Sequence, residues 1–392
     1  MIKDIERWML LLMAMLLIAC QSSDEDNSSP DDCYLDIYVY APDRPIVTRG
    51  DVGEIAPSAA AEKVVNTLQI WVFKSGNGTL VGHLSATNPT YLNGSAGQEK
   101  YRMKVDKAFA NASEDVDVYV VANAASCGLT FGESTSRDDL DAAKIGTDKF
   151  GTTNLVQTVP EGGLPMSAVL KNQSIHGSFP SLRIGTQDQM SILRLTRAVS
   201  KLRFVLCQNG NNDSGRNLVS IDGITLSGNQ IPEQTSLMPG TTAYSRYMSD
   251  ALTFVDESNK LFPKTGTHPD GIPSVDDPMI YQYETQKAQD YEDMINAAVT
   301  AGNLKQIGLT YLRESDLQLT GTITYTYSEN SANTQESIDF SMAAPGDFLR
   351  NHSWIVYIFY MGAKIHVHVV THIGMKEWIP DPNDDNKYVY NW

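Results

Sequence analysis

Residues 34–41 alternate: Leu35, Ile37, Val39 and Ala41 share one parity, while Tyr34, Asp36, Tyr38 and Tyr40 share the other. That period of two predicts a strand with one buried face. The next stretch, APDRPIVTRGDVGEIAPSAAAE over residues 41–62, carries prolines and glycines that interrupt sheet pairing, so an exposed loop is expected there. Residues 65–74 (VNTLQIWVFK) are apolar on both parities, as in a central strand covered on both faces. SGNG at 75–78 is a turn signal, and residues 79–86 return as the second arm of a hairpin. Strands are further expected over 101–105 and 116–122, with a short helix over 140–145.

A second block begins near Met190. MSILRLTRAVSKLRFVLCQ, residues 190–208, predicts one long strand-like run that changes face near Ala198 and passes between sheets or domains. Residues 221–226 continue in strand. A proline-rich, irregular middle spans 232–309, with a helix expected over 290–306, where acidic residues lead and Lys305 follows. Residues 317–327 place Leu317, Leu319, Ile323 and Tyr325 on one parity, and 351–378 form two strands around 361–364. Many short strands and few helices predict a mainly β chain built as two β-sandwich domains. The expected division is 1–19, 20–49, 50–196 and 197–392, and no internal sequence repeat is evident.

Composition narrows the function. The chain has 392 residues, 42% hydrophobic and 20% charged, with a formal net charge of −17. Such acidity argues against a nucleic-acid partner, which needs clustered Lys and Arg. Residues 1–49 hold nine acids and four bases, so the remainder stays acidic without them. Residues 9–19 form an apolar run too short to span a bilayer comfortably, and 21–32 are polar and acidic, as in a flexible tether. Together they predict a signal peptide over 1–19.

Catalytic signatures are missing: no G-x-S-x-G, H-E-x-x-H, P-loop or dinucleotide fingerprint occurs. The acid pairs Asp276-Asp277 and Asp384-Asp385 lie in loop-like sequence, so no enzyme and no cofactor are expected. His366, His368 and His372 share a parity, and imidazoles on one face are a metal-ligating pattern. The preferred reading is a solvent-facing or interface side of a strand whose other parity, Ile365, Val367 and Val369, is buried; no metal site is expected. Cys33, Cys127 and Cys207 have no zinc-type spacing and are expected as small apolar fillers, with a Cys127–Cys207 disulfide left open.

Leu17-Ile18-Ala19-Cys20 resembles the lipobox of bacterial lipoproteins, which implies acylation at Cys20; a plain signal peptide with a chance cysteine is the alternative. The acidic run behind it resembles, more weakly, surface-export signals of Bacteroidales lipoproteins. Four features in order resemble the fimbrillin family of Bacteroidales. They are the lipobox, the strand YLDIYVYA with its Arg49 loop, NTLQIWVFKSGNGTLVG with VDVYVVANAA, and LRLTRAVSKLRF with FLRNHSWIVYIFYMGAKIHVHV and Trp378.

The resemblance implies two transthyretin-like sandwiches with Greek-key connections. It implies a lipoprotein precursor carried to the outer membrane, then cut after an arginine by an Arg-specific protease. The expected cut follows Arg49; Arg44, before Pro45, is its rival. The removed part includes the strand that carries Leu35, Ile37 and Val39. Other fimbrial subunits are the implied partners, each filling the vacated place with a strand from its C-terminal region. Here Ile365, Val367, Val369 and Trp378 are the donor candidates. The expected function is therefore a structural subunit of a cell-surface fimbria. The alternatives are a tip or accessory adhesin for a host glycan or protein, whose loops include Tyr244, Tyr247, Tyr281, Tyr283 and Tyr291, and an uncut lipid-anchored subunit.

Overall fold

The computed structural model describes residues 32–41, 60–94, 97–110, 114–151, 155–186, 190–209, 215–240, 244–255, 258, 260–261, 265–266, 280–283, 297–301, 304–342, 348–361, 364–372, 379–380 and 388–389. The chain is mainly β, with a few short helices, arranged as two sandwiches around two hydrophobic cores.

In the first sandwich, one sheet holds Cys33–Tyr40 between Gln98–Val105 on one edge and Ser181–Ile184 and Ile192–Arg194 on the other, with Ile175–Ser178 beyond. The facing sheet runs Thr196–Arg197, Met166–Gln173, Val116–Ala122, Thr67–Lys74, Leu80–Thr87. Two-sided apolarity explains the central places of Val116–Ala122, buried along its whole length, and of Thr67–Lys74. The turn at 75–78 closes the hairpin as expected, with Gly78 at φ 69° donating its N–H to the Lys74 carbonyl at 2.8 Å.

In the second sandwich, Ser200–Asn209 lies between Ser353–Met361, parallel to it, and Lys305–Leu312, antiparallel to it. Lys364–His372 lies outside Ser353–Met361, and Ile280–Tyr283 beyond that. The facing sheet runs Leu252–Val255, Arg216–Leu226, Leu319–Glu329, Ala332–Met342. Leu319–Glu329 alternates as expected, with Leu319, Ile323, Tyr325 and Tyr327 buried; Leu317 precedes the strand and is exposed.

Two expected elements resolve differently. The run 190–208 is three strands, not one. Ile192–Arg194 pairs with the first strand, Thr196–Arg197 pairs with Met166–Gln173 in the other sheet, and Ser200–Asn209 enters the second sandwich. The core changes between Val199 and Leu202. The helix expected over 140–145 is Arg137–Ala142, started by a capping box between Ser136 and Asp139; Lys144–Ile145 is strand. Most of the helix expected over 290–306 lies outside the described residues, and residues 297–300 are helical.

A polar seam joins the sandwiches. Lys144–Ile145 pairs with Thr235–Ser236, and Ser167 Oγ donates to the Leu237 carbonyl at 2.6 Å. Arg313, fully buried, donates to the carbonyls of Pro232, Gly146 and Lys149. Burial lowers its guanidinium to about 10, against the pull of Asp148 and Glu233. Glu62, also buried, accepts from the Tyr311 hydroxyl at 2.6 Å and pairs with Lys201 at 3.2 Å. Arg197 donates to the Glu62 carbonyl and to Asn351 Oδ1.

Candidate assembly site: the first strand and its slot

Cys33–Tyr40 is an interior strand of its sheet. On one edge it pairs antiparallel with Gln98–Val105 along its full length, from Cys33 opposite Val105 to Tyr40 opposite Gln98. On the other edge it is parallel to two short pieces: residues 34–36 against 181–183, and 38–40 against 192–194. Further backbone bonds close its ends: Tyr34 N–H to the Pro180 carbonyl and Ala41 N–H to the Gly97 carbonyl, both at 2.8 Å.

The inward parity fills a core. Leu35, Ile37 and Val39 are 0%, 1% and 0% exposed and belong to the cluster that includes Trp71, Val118 and Leu182. Each such side chain is worth about 1.5–3 kcal/mol when fully buried. Met103 and Tyr101, cross-strand from Leu35 and Ile37, lie in the same core. Cys33 is buried and free, and burial pushes its thiol pKa up, as for an inert apolar filler.

Outward, Tyr34, Tyr38 and Tyr40 are half-buried, while Asp36 is only 9% exposed. Asp36 receives two bonds from Arg102, Nε at 2.9 Å and Nη2 at 3.2 Å, and one from Ser181 Oγ at 3.2 Å. Lys100 Nζ stands 3.7 Å away. Burial pushes the carboxyl pKa up, but the Arg102 hydrogen bond, Lys100 and Ser181 prevail and hold it below the usual range. The sequence pattern predicts Asp36 on a solvent side; its burial comes from partners 66 and 145 residues away, which no local pattern reveals.

The other expected site residues fall as follows. Cys20, Arg49 and Trp378 lie outside the described residues. Ile365 and Val367 are each 2% exposed and fill their own second core, on a strand paired throughout with Ser353–Met361. Val369, His366, His368 and His372 lie on that strand, their side chains outside the description. Cys127 is a free, buried thiol, its pKa pushed up to about 11 by burial, so the pairing with Cys207 is not made. Tyr244 and Tyr247 do not stand free as loop contacts: their hydroxyls donate to Glu314 at 2.9 Å and Asp316 at 2.8 Å.

Residues 47–191 match the family model of the major fimbrial subunit protein FimA. No curated relative matches the chain by sequence. Among solved structures, the chain is similar to the tip fimbrial protein Mfa3 from Porphyromonas gingivalis, solved with a C-terminal truncation. That likeness has 15% identity and a TM-score of 0.46 over 87% of this chain and 99% of that one. It is also similar to a fimbrial assembly protein from Parabacteroides distasonis, at 10% identity and a TM-score of 0.41 over 86% and 95%. These structural likenesses are weak and carry no argument; the family model matches one stretch of the chain. Over residues 47–191, the chain is thus similar to the family of the major fimbrial subunit protein FimA.

Proposed function

We propose that this protein is a fimbrial subunit that joins its neighbour by exchanging its first strand. The supporting observation is the position of Cys33–Tyr40: interior to a sheet, apolar face in the core, and followed in sequence by the stretch that holds Arg49. Cutting after Arg49 separates the strand from the body. Loss of the strand leaves backbone donors and acceptors unpaired on two flanking edges and empties the places of Leu35, Ile37 and Val39. A strand from a neighbouring subunit restores both, and head-to-tail repetition of that step builds a filament. Before the cut, acylated Cys20 holds the precursor at the outer membrane.

The test is the intact mass and N-terminal sequence of protein sheared from cells, for wild type and Arg49→Ala. Wild type beginning at Gly50, with an unpolymerised and membrane-held variant, is the expected result. Retention of Cys20 with its lipid in both proteins would instead indicate an uncut, anchored subunit.

A second reading has its own support. Ile365 and Val367 already fill their own core, so giving up Lys364–His372 would uncover it. A subunit that accepts a strand but keeps this one is a tip or accessory subunit, whose exposed loops meet a host glycan or protein. Immunogold labelling separates the readings: along the shaft for a stalk subunit, at the end only for a tip.

A further inference from the structure

The outward side of the first strand is lined with cations from its neighbours. On Gln98–Val105, the outward positions after Gln98 are Lys100, Arg102 and Lys104, all exposed. Across the strand, Arg183 stands in register with Asp36, as Arg102 does on the opposite edge. Asp36 thus lies in register between two arginines, and Arg102 bonds its carboxylate. Asp32, just ahead of the strand, pairs with Lys104 at 2.6 Å and accepts from the Tyr34 hydroxyl. The inward-parity acid on Gln98–Val105, Glu99, is engaged by the Leu92 N–H at 3.1 Å. Asp106 follows that strand beyond Val105.

Removal of residues 1–49 takes away Asp32 and Asp36 together. What remains beside the slot is Lys100, Arg102, Lys104 and Arg183, a basic strip on a chain of net charge −17. Like charges placed directly opposite across a sheet are destabilising, and an arginine fork favours a carboxylate.

Resting on the strand-exchange reading above, we propose that the vacated slot selects its replacement by charge as well as by apolar pattern. The occupant is an extended segment of a different subunit, with apolar side chains at the places of Leu35, Ile37 and Val39 and an Asp or Glu at the place of Asp36. The strip also steers such a segment towards the slot, because complementary charge raises the rate of encounter. A second copy's 364–372 does not meet this requirement. With Ile365, Val367 and Val369 in the apolar places, its opposite parity presents Lys364, His366 and His368.

The test uses the full chain, nicked after Arg49 by an Arg-specific protease, and fluorescent peptides in excess. One peptide spans 32–41 with Cys33→Ala, a second adds Asp36→Lys, and a third spans 364–372. Capture is followed by anisotropy at low and high salt. The expected result is capture of the first peptide, slowed by salt, with the other two captured ~10-fold less or worse. Arg102→Asp with Arg183→Asp in the body should reverse the preference between the first two. Equal capture of all three overturns the charge selection and leaves strand exchange standing. If even the first peptide does not enter, strand exchange falls, and this inference with it. An independent check uses the uncut chain: Asp36→Lys lowers the melting temperature, and Arg102→Asp in the same chain restores part of the loss. Simple addition of the two losses would overturn the inference without reference to exchange.

Discussion

Each sandwich contains a strand with an antiparallel neighbour on one edge and a parallel one on the other: Cys33–Tyr40 in the first, and in the second Ser200–Asn209, which also meets Thr265–Gly266 in parallel at residues 208–209. Their surroundings differ in ways that fit the proposed roles of a replaceable part and a permanent one. The first strand is held on its parallel edge by two short pieces, residues 181–183 and 192–194. The second is held there by one strand, over residues 201–208 against 353–360. The outward face of the first strand carries half-exposed tyrosines, whereas residues 202–206 of Ser200–Asn209 are buried on both faces, with Val205 at 0% and Arg203 at 3% exposure. It also continues directly from Val199, while the first strand is followed in sequence by the stretch that holds Arg49, the proposed cleavage position. A strand meant to leave needs a core face for affinity, a short partner edge and a severable connection; a permanent strand needs none of these concessions.

The sharpest way to break this contrast is in the second core. Phe204 is fully buried, with ring centroids 4.5 Å from Phe254 and 6.2 Å from Phe340. Phe204→Ala should cost about 3–5 kcal/mol and leave a cavity that no incoming strand can refill. Denaturant unfolding of the full chain checks this, and added first-strand peptide should recover none of the loss. Ile37→Ala should cost a similar or slightly smaller amount, about 2–5 kcal/mol, in the uncut chain. In chains that have exchanged their first strand for a wild-type peptide, the same substitution should have no effect. A lasting deficit after exchange would show that Ile37 acts outside the slot.

How much of this contrast the sequence discloses depends on the distance to the partner. The alternation of 34–41, the two-sided run before SGNG and the alternation of Leu319–Glu329 are local, and each survives in the structure. The division of 190–208 into three strands is not local. Ile192, Thr196 and Leu202 have the same apolar-polar rhythm, and only their pairing with residues 38, 167 and 354 assigns them to three sheets. The capping box at Ser136 and Asp139 was present as a sequence signal and would have placed the short helix correctly. At the site, Leu35, Ile37 and Val39 are legible from parity alone. Asp36 is not, because its partners Arg102 and Ser181 come from the far ends of the domain. The likeness between Cys33–Tyr40 and Ser200–Asn209 is one of pairing geometry, which leaves no repeat in the sequence.

A smaller effect is expected at the seam that would keep the body whole after the proposed cut. Ala60–Lys63 follows the stretch of sequence that holds Arg49, and Glu62 ties it to Tyr311 and Lys201 of the second sandwich. The Tyr311 hydroxyl is pushed above its ordinary range by burial and by Glu62, so it stays a donor at neutral pH. Tyr311→Phe leaves a buried carboxylate short of one partner and should cost about 1–3 kcal/mol. Limited proteolysis of the nicked chain should then show earlier attack at the seam than in wild type.

The finest test of the contrast is pH, because only the first strand presents a carboxylate on its outward face. Asp36 has a folded-state pKa below its unfolded value, near 3.9 for a free aspartate. Its contribution is therefore fully present above that unfolded value, and it is lost as pH falls through the lower folded value. Arg102 is partly exposed, so solvent screening limits the pair to about 1 kcal/mol. Asp36→Asn should thus be less stable than wild type at pH 7 by about that amount, with the gap closing below about pH 3.9. Paired denaturant curves at the two pH values check it. A gap that stays constant with pH would mean that the side chain matters for packing rather than charge, and it would remove the electrostatic distinction between the two strands.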